Sequence, residues 1–190
     1  MKNKIAKIIS LISVAPIMAL GLLTLLYFSS NSFHDLNHYL LAITYLTVLP
    51  ILAYPLQKVL PRFKDKGRKG QRELAFIMVI LGYTLGIISA FVLKAPIQYL
   101  IIYLAYFLSG ISLALINKLS KVKASGHSCG VAGPIVMSIY LLGGYTWFFI
   151  LLIPIVFWSR LTMGRHTIQE LILGSLVPIL GTFLSVAIIH

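Results

Sequence analysis

The sequence predicts an all-α protein, a polytopic membrane helix bundle with about six or seven transmembrane helices in a single domain over residues 1–190. Of the 190 residues, 59% are hydrophobic and only 11% are charged, whereas soluble domains carry about a quarter charged residues. Apolar runs of about 18 residues or more recur along the chain, as transmembrane helices require. Because a bilayer offers no water to the backbone, these runs are expected to be helical.

The first predicted span covers residues 8–28. The chain begins with a basic segment, as a signal peptide does, but the apolar run is too long for a typical cleaved core and no small-x-small cleavage site follows. We therefore expect the span to be retained. The remaining predicted spans are 39–59, 74–93, 97–116, 128–142, 145–158 and 167–189.

Two tight hairpins are expected between these spans. The apolar stretch 74–116 is about twice the length that one helix needs to cross the bilayer, and Lys94-Ala95-Pro96 interrupts it. A second turn is predicted at Gly143-Gly144.

The net charge of +12 would suit a nucleic-acid partner, but the basic residues lie in short loops beside apolar spans. Membrane orientation explains them better, so no nucleic-acid partner is predicted. With the N-terminus inside, the first three lysines and seven basic residues of the segment 58–72 lie in the cytoplasm, and Lys94 lies outside. This orientation predicts an integral protein of the cell (inner) membrane, with the polar segments 118–127 and 159–170 together on the cytoplasmic side.

The first polar segment ends in Lys123, Ser125, Gly126 and His127, directly before an apolar span. The start of a helix offers free N–H groups and a positive dipole end to an anion, and a neighbouring lysine adds charge. In the second segment, Arg160 can grip a phosphate with two hydrogen bonds.

His166 and Glu170 are four residues apart, so a helix would place them on one face. A carboxylate bonded to one imidazole nitrogen fixes the tautomer and leaves the other nitrogen as a better nucleophile. Ionisable groups at membrane depth indicate a functional site.

Together these segments resemble the type 2 phosphatidic acid phosphatase superfamily, membrane lipid-phosphate phosphatases related to bacterial acid phosphatases and vanadium haloperoxidases. That family carries K-x6-R-P, P-S-G-H and S-R-x5-H-x3-D. The second motif is matched by "ASGH" at Ser125, Gly126 and His127. The third is matched by "SRLTMGRHTIQE" at Ser159, Arg160 and His166, with Glu170 in place of the aspartate.

The resemblance implies metal-independent hydrolysis of a phosphomonoester or diphosphate on a lipid, without a cofactor, through a phosphohistidine. It implies that His166 is the nucleophile, that His127 is the general acid and base, and that Glu170 orients His166. The phosphate-binding residues that it implies are Lys123, Ser125, Gly126 and Arg160. The substrate would be a membrane phospholipid or an isoprenoid phosphate.

The K-x6-R-P motif is absent. Its role would pass to Lys123 first, to Lys118 or Lys121, or to an arginine of the 58–72 segment such as Arg68 or Arg72. Two other functions stay open: an anion or lipid transporter, and an inactive relative that binds phospholipid without turnover. The pair His34 and His38 is a weak indication of a metal site, and none is predicted.

Overall fold

The computed structural model describes residues 2–190, and within them the chain is helical with no strand. This confirms the predicted all-α fold class. The helices are α1 (Lys2–Ile12), α2 (Ala15–Ser29), α3 (Leu36–Val59), α4 (Pro61–Lys64), α5 (Gly67–Val92), α6 (Ile97–Leu119), α7 (Gly126–Leu142), α8 (Gly144–Thr162, whose first part is a 3₁₀ helix) and α9 (Ile168–Ile189).

Five of these helices, α3, α5, α6, α8 and α9, are long and apolar enough to cross a membrane, and α1 with α2 would make a sixth. The apolar helix α7 is shorter than the others. Large apolar side chains on the outer surface are exposed, as on a protein surrounded by lipid; Phe183 and Phe91 are examples.

The first predicted span, 8–28, is not one straight helix. The chain breaks at Ser13-Val14, and the axes of α1 and α2 differ by 56°. Pro16 explains the break, because proline has no N–H to donate to the carbonyl of Ile12 and its ring would clash with that carbonyl. Val14 is accordingly extended.

The basic segment 58–72 is more ordered than the loop that the sequence suggests. Pro61 starts the short helix α4, and α5 begins at Gly67, so the polar residues before Leu74 form the first turns of a long helix. The side chain of Gln57 donates to the carbonyl of Gly67 over 2.9 Å and holds this region together.

Both expected turns are present. After α5, Ala95 N–H donates to the carbonyl of Ala90 over 2.9 Å and Lys94 takes a left-handed conformation with φ 48°. This closes the helix in the way that glycine usually does, and α5 and α6 then pack against each other. At the second turn, Gly143 and Gly144 both have positive φ.

The two ends of the bundle differ in character. One end holds the turns around residues 30–35, 93–96 and 143, and also His190. A second cavity at this end is lined by Ser32, Gln98, Tyr140 and His190, among others. The other end, here called the site end, holds α1, α4 and the turns at 120–125 and 163–167. All Lys and Arg residues except Lys94 belong to segments at the site end.

Helix α9 packs against both α6 and α7. Small residues allow the helices to approach closely: Gly181 lies against Ser109 of α6, and Gly130 of α7 lies against Ala15 of α2. The arrangement leaves a cavity between α2, α3, α5, α6, α7 and α9 that extends to residues of the site end.

Candidate active site

The cavity has a volume of about 590 Å³, which is within the range of about 300–1,000 Å³ that is usual for small-molecule sites. At the site end it is lined by Lys123, Gly126, His127, Arg160 and His166. These residues come from both polar segments. Deeper in the bundle the walls are mostly apolar and aromatic, with Tyr83, Tyr106 and Met137 among the lining residues.

A backbone hydrogen bond joins the two polar segments. The N–H of Ser125 donates to the carbonyl of Glu170 over 2.9 Å, and the hydroxyls of Ser128 and Ser175 are 2.9 Å apart. The start of α7 is therefore held against the first turns of α9, and the residues of both motifs face one cavity.

Ser125 occupies a different position from the one that a phosphate contact would need. Its side chain is fully buried, and its Oγ accepts a hydrogen bond from the N–H of Ser128 over 3.3 Å as the N-cap of α7. Ser125 is not among the cavity-lining residues of the described chain, whereas the next residue, Gly126, is. The serine hydroxyl thus starts the helix, and the free N–H groups of the first turn, at Gly126 and His127, are left to face an anion.

The loop before α7 is held by Asn117. The Ala124 N–H donates to Asn117 Oδ1 over 2.6 Å, and Asn117 Nδ2 donates to the carbonyl of Ala124 over 3.1 Å. This bidentate contact places Lys123 at the cavity. Within the described chain, Lys118 and Lys121 are not among the lining residues.

His166 and Glu170 form the pair that their spacing predicts. His166 Nδ1 lies 3.0 Å from Glu170 Oε2, and each side chain is 24% exposed. The same carboxylate oxygen accepts the N–H of Thr167 over 3.0 Å, while Thr167 Oγ1 accepts the N–H of Glu170 over 3.3 Å. This is a capping box at the start of α9. With Nδ1 held by Glu170, His166 has Nε2 free for chemistry.

Thr167 was not among the predicted site residues. The T-x-x-E pattern could have identified it, because that pattern is the signature of a capping box.

The N-terminal segment, residues 2–13, also reaches the site. Ser13 Oγ lies 2.9 Å from His127 Nε2, and Arg160 donates from one terminal nitrogen to Ser10 Oγ over 2.7 Å. Ser159 is fully buried and donates to the carbonyl of Ala6 over 2.7 Å. No short-range pattern could have revealed these contacts, since the partners are more than 100 residues apart.

The site is strongly cationic. Lys123 and Arg160 line the cavity together with Arg72 of α5, and none of the described lining residues is acidic. The Nε of Arg160 is buried without a hydrogen-bond partner in the described chain. The arrangement offers several positive donors, two histidines and a helix start to one ligand, and both helix starts and arginine favour an anion such as phosphate.

The other histidine pair lies at the opposite end of the bundle. Asp35 Oδ1 bonds both the N–H and the Nδ1 of His38 at 2.9 and 2.8 Å, so it caps α3. The hydrogen bond from the His38 backbone is the main cause that lowers the pKa of the Asp35 carboxyl. Among residues 2–190, no group of three His, Cys, Asp or Glu side chains is placed to hold a metal ion.

Comparison with models of protein families, with curated proteins and with solved structures finds no significant match to this chain.

Proposed function

We propose that this protein hydrolyses a phosphomonoester or diphosphate on a membrane lipid through a phosphohistidine intermediate. The observation that carries the proposal is the single cavity lined by His127, His166, Arg160 and Lys123, with Glu170 bonded to His166. The resemblance to the type 2 phosphatidic acid phosphatase motifs supports the same chemistry.

In the first step, His166 Nε2 attacks phosphorus. A P–N bond forms as the bond between phosphorus and the oxygen of the leaving group breaks. His127, starting in its doubly protonated form, donates a proton to that oxygen, so a neutral lipid alcohol departs from a monoester and a lipid monophosphate from a diphosphate. Glu170 holds His166 Nδ1–H and stabilises the positive imidazole ring of the intermediate.

In the second step, His127 accepts a proton from water as the water oxygen attacks phosphorus. The P–N bond breaks, inorganic phosphate forms and both histidines return to their starting states. Arg160, Lys123 and the N–H groups at the start of α7 stabilise the charge on the phosphoryl oxygens in both steps.

Arg72 is the best replacement for a cation of the absent K-x6-R-P motif. It projects from α5 to the cavity and faces the same space as Lys123. We therefore assign the additional phosphate contact to Arg72 rather than to Lys118 or Lys121.

The shape of the cavity favours a lipid substrate. Along α7 the lining residues run from His127 to Met137, a distance of about 15 Å at about 1.5 Å per helical residue. The phosphate would lie at the cationic end and a hydrocarbon chain would extend between the apolar walls.

The test is phosphate release by detergent-purified protein from a panel of lipid phosphates in the presence of EDTA. We expect release by the wild type and none by His166→Ala, while His190→Ala, which changes a histidine at the opposite end, retains full activity. A substrate labelled with ³²P should yield acid-labile, base-stable phosphoprotein in the wild type. Folded wild-type protein that releases no phosphate from any lipid would overturn the proposal and favour binding or transport.

A further inference from the structure

We propose that Ser13 and Ser10, from the N-terminal segment, are positioning residues for the site: Ser13 sets the tautomer of His127, and Ser10 orients Arg160. The inference rests on the proposed function for its kinetic consequences. The structural part concerns which ring nitrogen of His127 carries the proton. It can be tested without turnover.

The Ser13 hydroxyl has two partners and only one proton. Its Oγ lies 2.7 Å from the carbonyl oxygen of Ile9 and 2.9 Å from His127 Nε2. A carbonyl oxygen can only accept, so the hydroxyl proton goes to Ile9. Ser13 Oγ must then accept from His127, and the neutral imidazole carries its proton on Nε2.

This assignment determines which nitrogen of His127 performs the proton transfers. With Nε2–H bound to Ser13, the lone pair of the neutral ring is on Nδ1, so Nδ1 is the atom that gives its proton to the leaving oxygen in the first step and takes one from water in the second. When Nδ1 is protonated, the chain from Nε2–H through Ser13 to the Ile9 carbonyl stays intact and stabilises the positive ring. Ser13 is 5% exposed, so water does not readily replace it.

Ser10 acts on the other side of the site. Its Oγ accepts from one terminal nitrogen of Arg160 over 2.7 Å. A guanidinium is planar, so one short hydrogen bond restricts the orientation of the whole group. The contact leaves Arg160 at the cavity wall with donors that are still available to a phosphate.

The N-terminal segment is firmly placed for this role. Ala6 is fully buried, and its carbonyl accepts from Ser159, the residue before Arg160. The 56° bend at Ser13-Val14 turns α1 away from the axis of α2, and α1 packs against α8. Ser10 and Ser13, three residues apart, therefore face the site together.

The kinetic test compares Ser13→Ala with Ser13→Thr, which keeps the hydroxyl. We expect Ser13→Ala to lower kcat about tenfold with little change in KM, a part of the 10²–10⁴-fold that general acid–base catalysis supplies. Ser13→Thr should recover at least half of the wild-type kcat. Ser10→Ala should mainly raise KM, because Arg160 binds the phosphate in the ground state as well as in the transition state.

Thr47→Val is the matched control. Thr47 Oγ1 donates to the carbonyl of Pro16 over 3.2 Å, so this variant also removes a buried hydroxyl bond to the N-terminal part of the chain, but it alters no hydrogen bond of His127 or Arg160. Equal loss of kcat in Thr47→Val and Ser13→Ala would show a merely structural effect and overturn the inference.

The tautomer is measured directly by long-range ¹H–¹⁵N spectra of protein labelled with ¹⁵N on the histidine rings. We expect His127 to carry its proton on Nε2 in the wild type and to lose this preference in Ser13→Ala, while His166 keeps its signals. An Nδ1-protonated His127 in the wild type would overturn the inference even if the enzyme is active. If the wild type releases no phosphate, the proposed function fails, and the spectra still decide the pairing with Ser13.

Discussion

The backbone N–H of Ser125 donates to the carbonyl of Glu170 over 2.9 Å, so a main-chain contact joins the two polar segments. Gly174, one turn further along α9, packs directly on the backbone of Ser125, with no room for a Cβ. The hydrogen bond and the close packing together set the distance between the two histidine-bearing helix starts.

We expect Gly174→Ala to lower both stability and activity. The added methyl group would meet the backbone of Ser125, which cannot move aside as the end of a side chain can. Such overpacking costs about 1–3 kcal/mol of unfolding free energy. Thermal unfolding in detergent and phosphate release measure the two effects. Gly21→Ala is the control, because nothing lies within 4 Å of a Cβ at that position; an equal response of both variants would contradict the packing argument.

Glu170→Gln should separate catalysis from folding. Glutamine can replace glutamate in a capping box, so the melting temperature should change little. The neutral amide stabilises a positive His166 ring less well than a carboxylate does, and kcat should fall by at least about tenfold. The matched control is Glu73→Gln, which removes a surface carboxylate bonded to Lys66 at 3.1 Å. A Glu170→Gln variant with full kcat would show that His166 does not depend on the charge.

Arg72→Gln should raise KM for a lipid phosphate about tenfold or more, because a hydrogen bond to a charged group contributes about 1.5–3 kcal/mol. Arg68→Gln removes the same charge one turn earlier on α5, from a residue that is not among the cavity-lining residues of the described chain. Initial rates are measured as a function of substrate concentration at low and high salt. They distinguish a direct contact between Arg72 and the phosphate from long-range electrostatic attraction, which salt screens. Equal increases in KM for both variants would remove Arg72 from the phosphate site.

The distribution of charge predicts which end of the bundle faces the cytoplasm. Since all Lys and Arg residues except Lys94 belong to the site end, the positive-inside rule places that end in the cytoplasm. In a Cys129→Ser background, Asn31→Cys should react with a membrane-impermeant maleimide in intact cells, and Asp65→Cys only after permeabilisation. The opposite labelling pattern would place the site on the outer face of the membrane.

Much of the site was predictable because its key pairs are local. His166 precedes Thr167, the N-cap of α9, so it does not share a helix face with Glu170 as expected; the capping-box turn instead brings Nδ1 to 3.0 Å from Oε2. The position of Ser125 just before an apolar helix has the same local basis. What the motif alone did not reveal is that its hydroxyl is used as the N-cap of α7.

The amino-acid sequence by itself determined the all-helical fold with its long apolar helices, the two turns and the two polar segments. These features depend on hydropathy, proline, glycine and helical periodicity, all of which act over a few residues. Tertiary structure alone decided that α1 reaches the site, that Ser13 bonds His127 and that Arg72 joins the cavity. These contacts join residues far apart in the chain. The packing of whole helices brings them together, and a local sequence pattern does not report that packing.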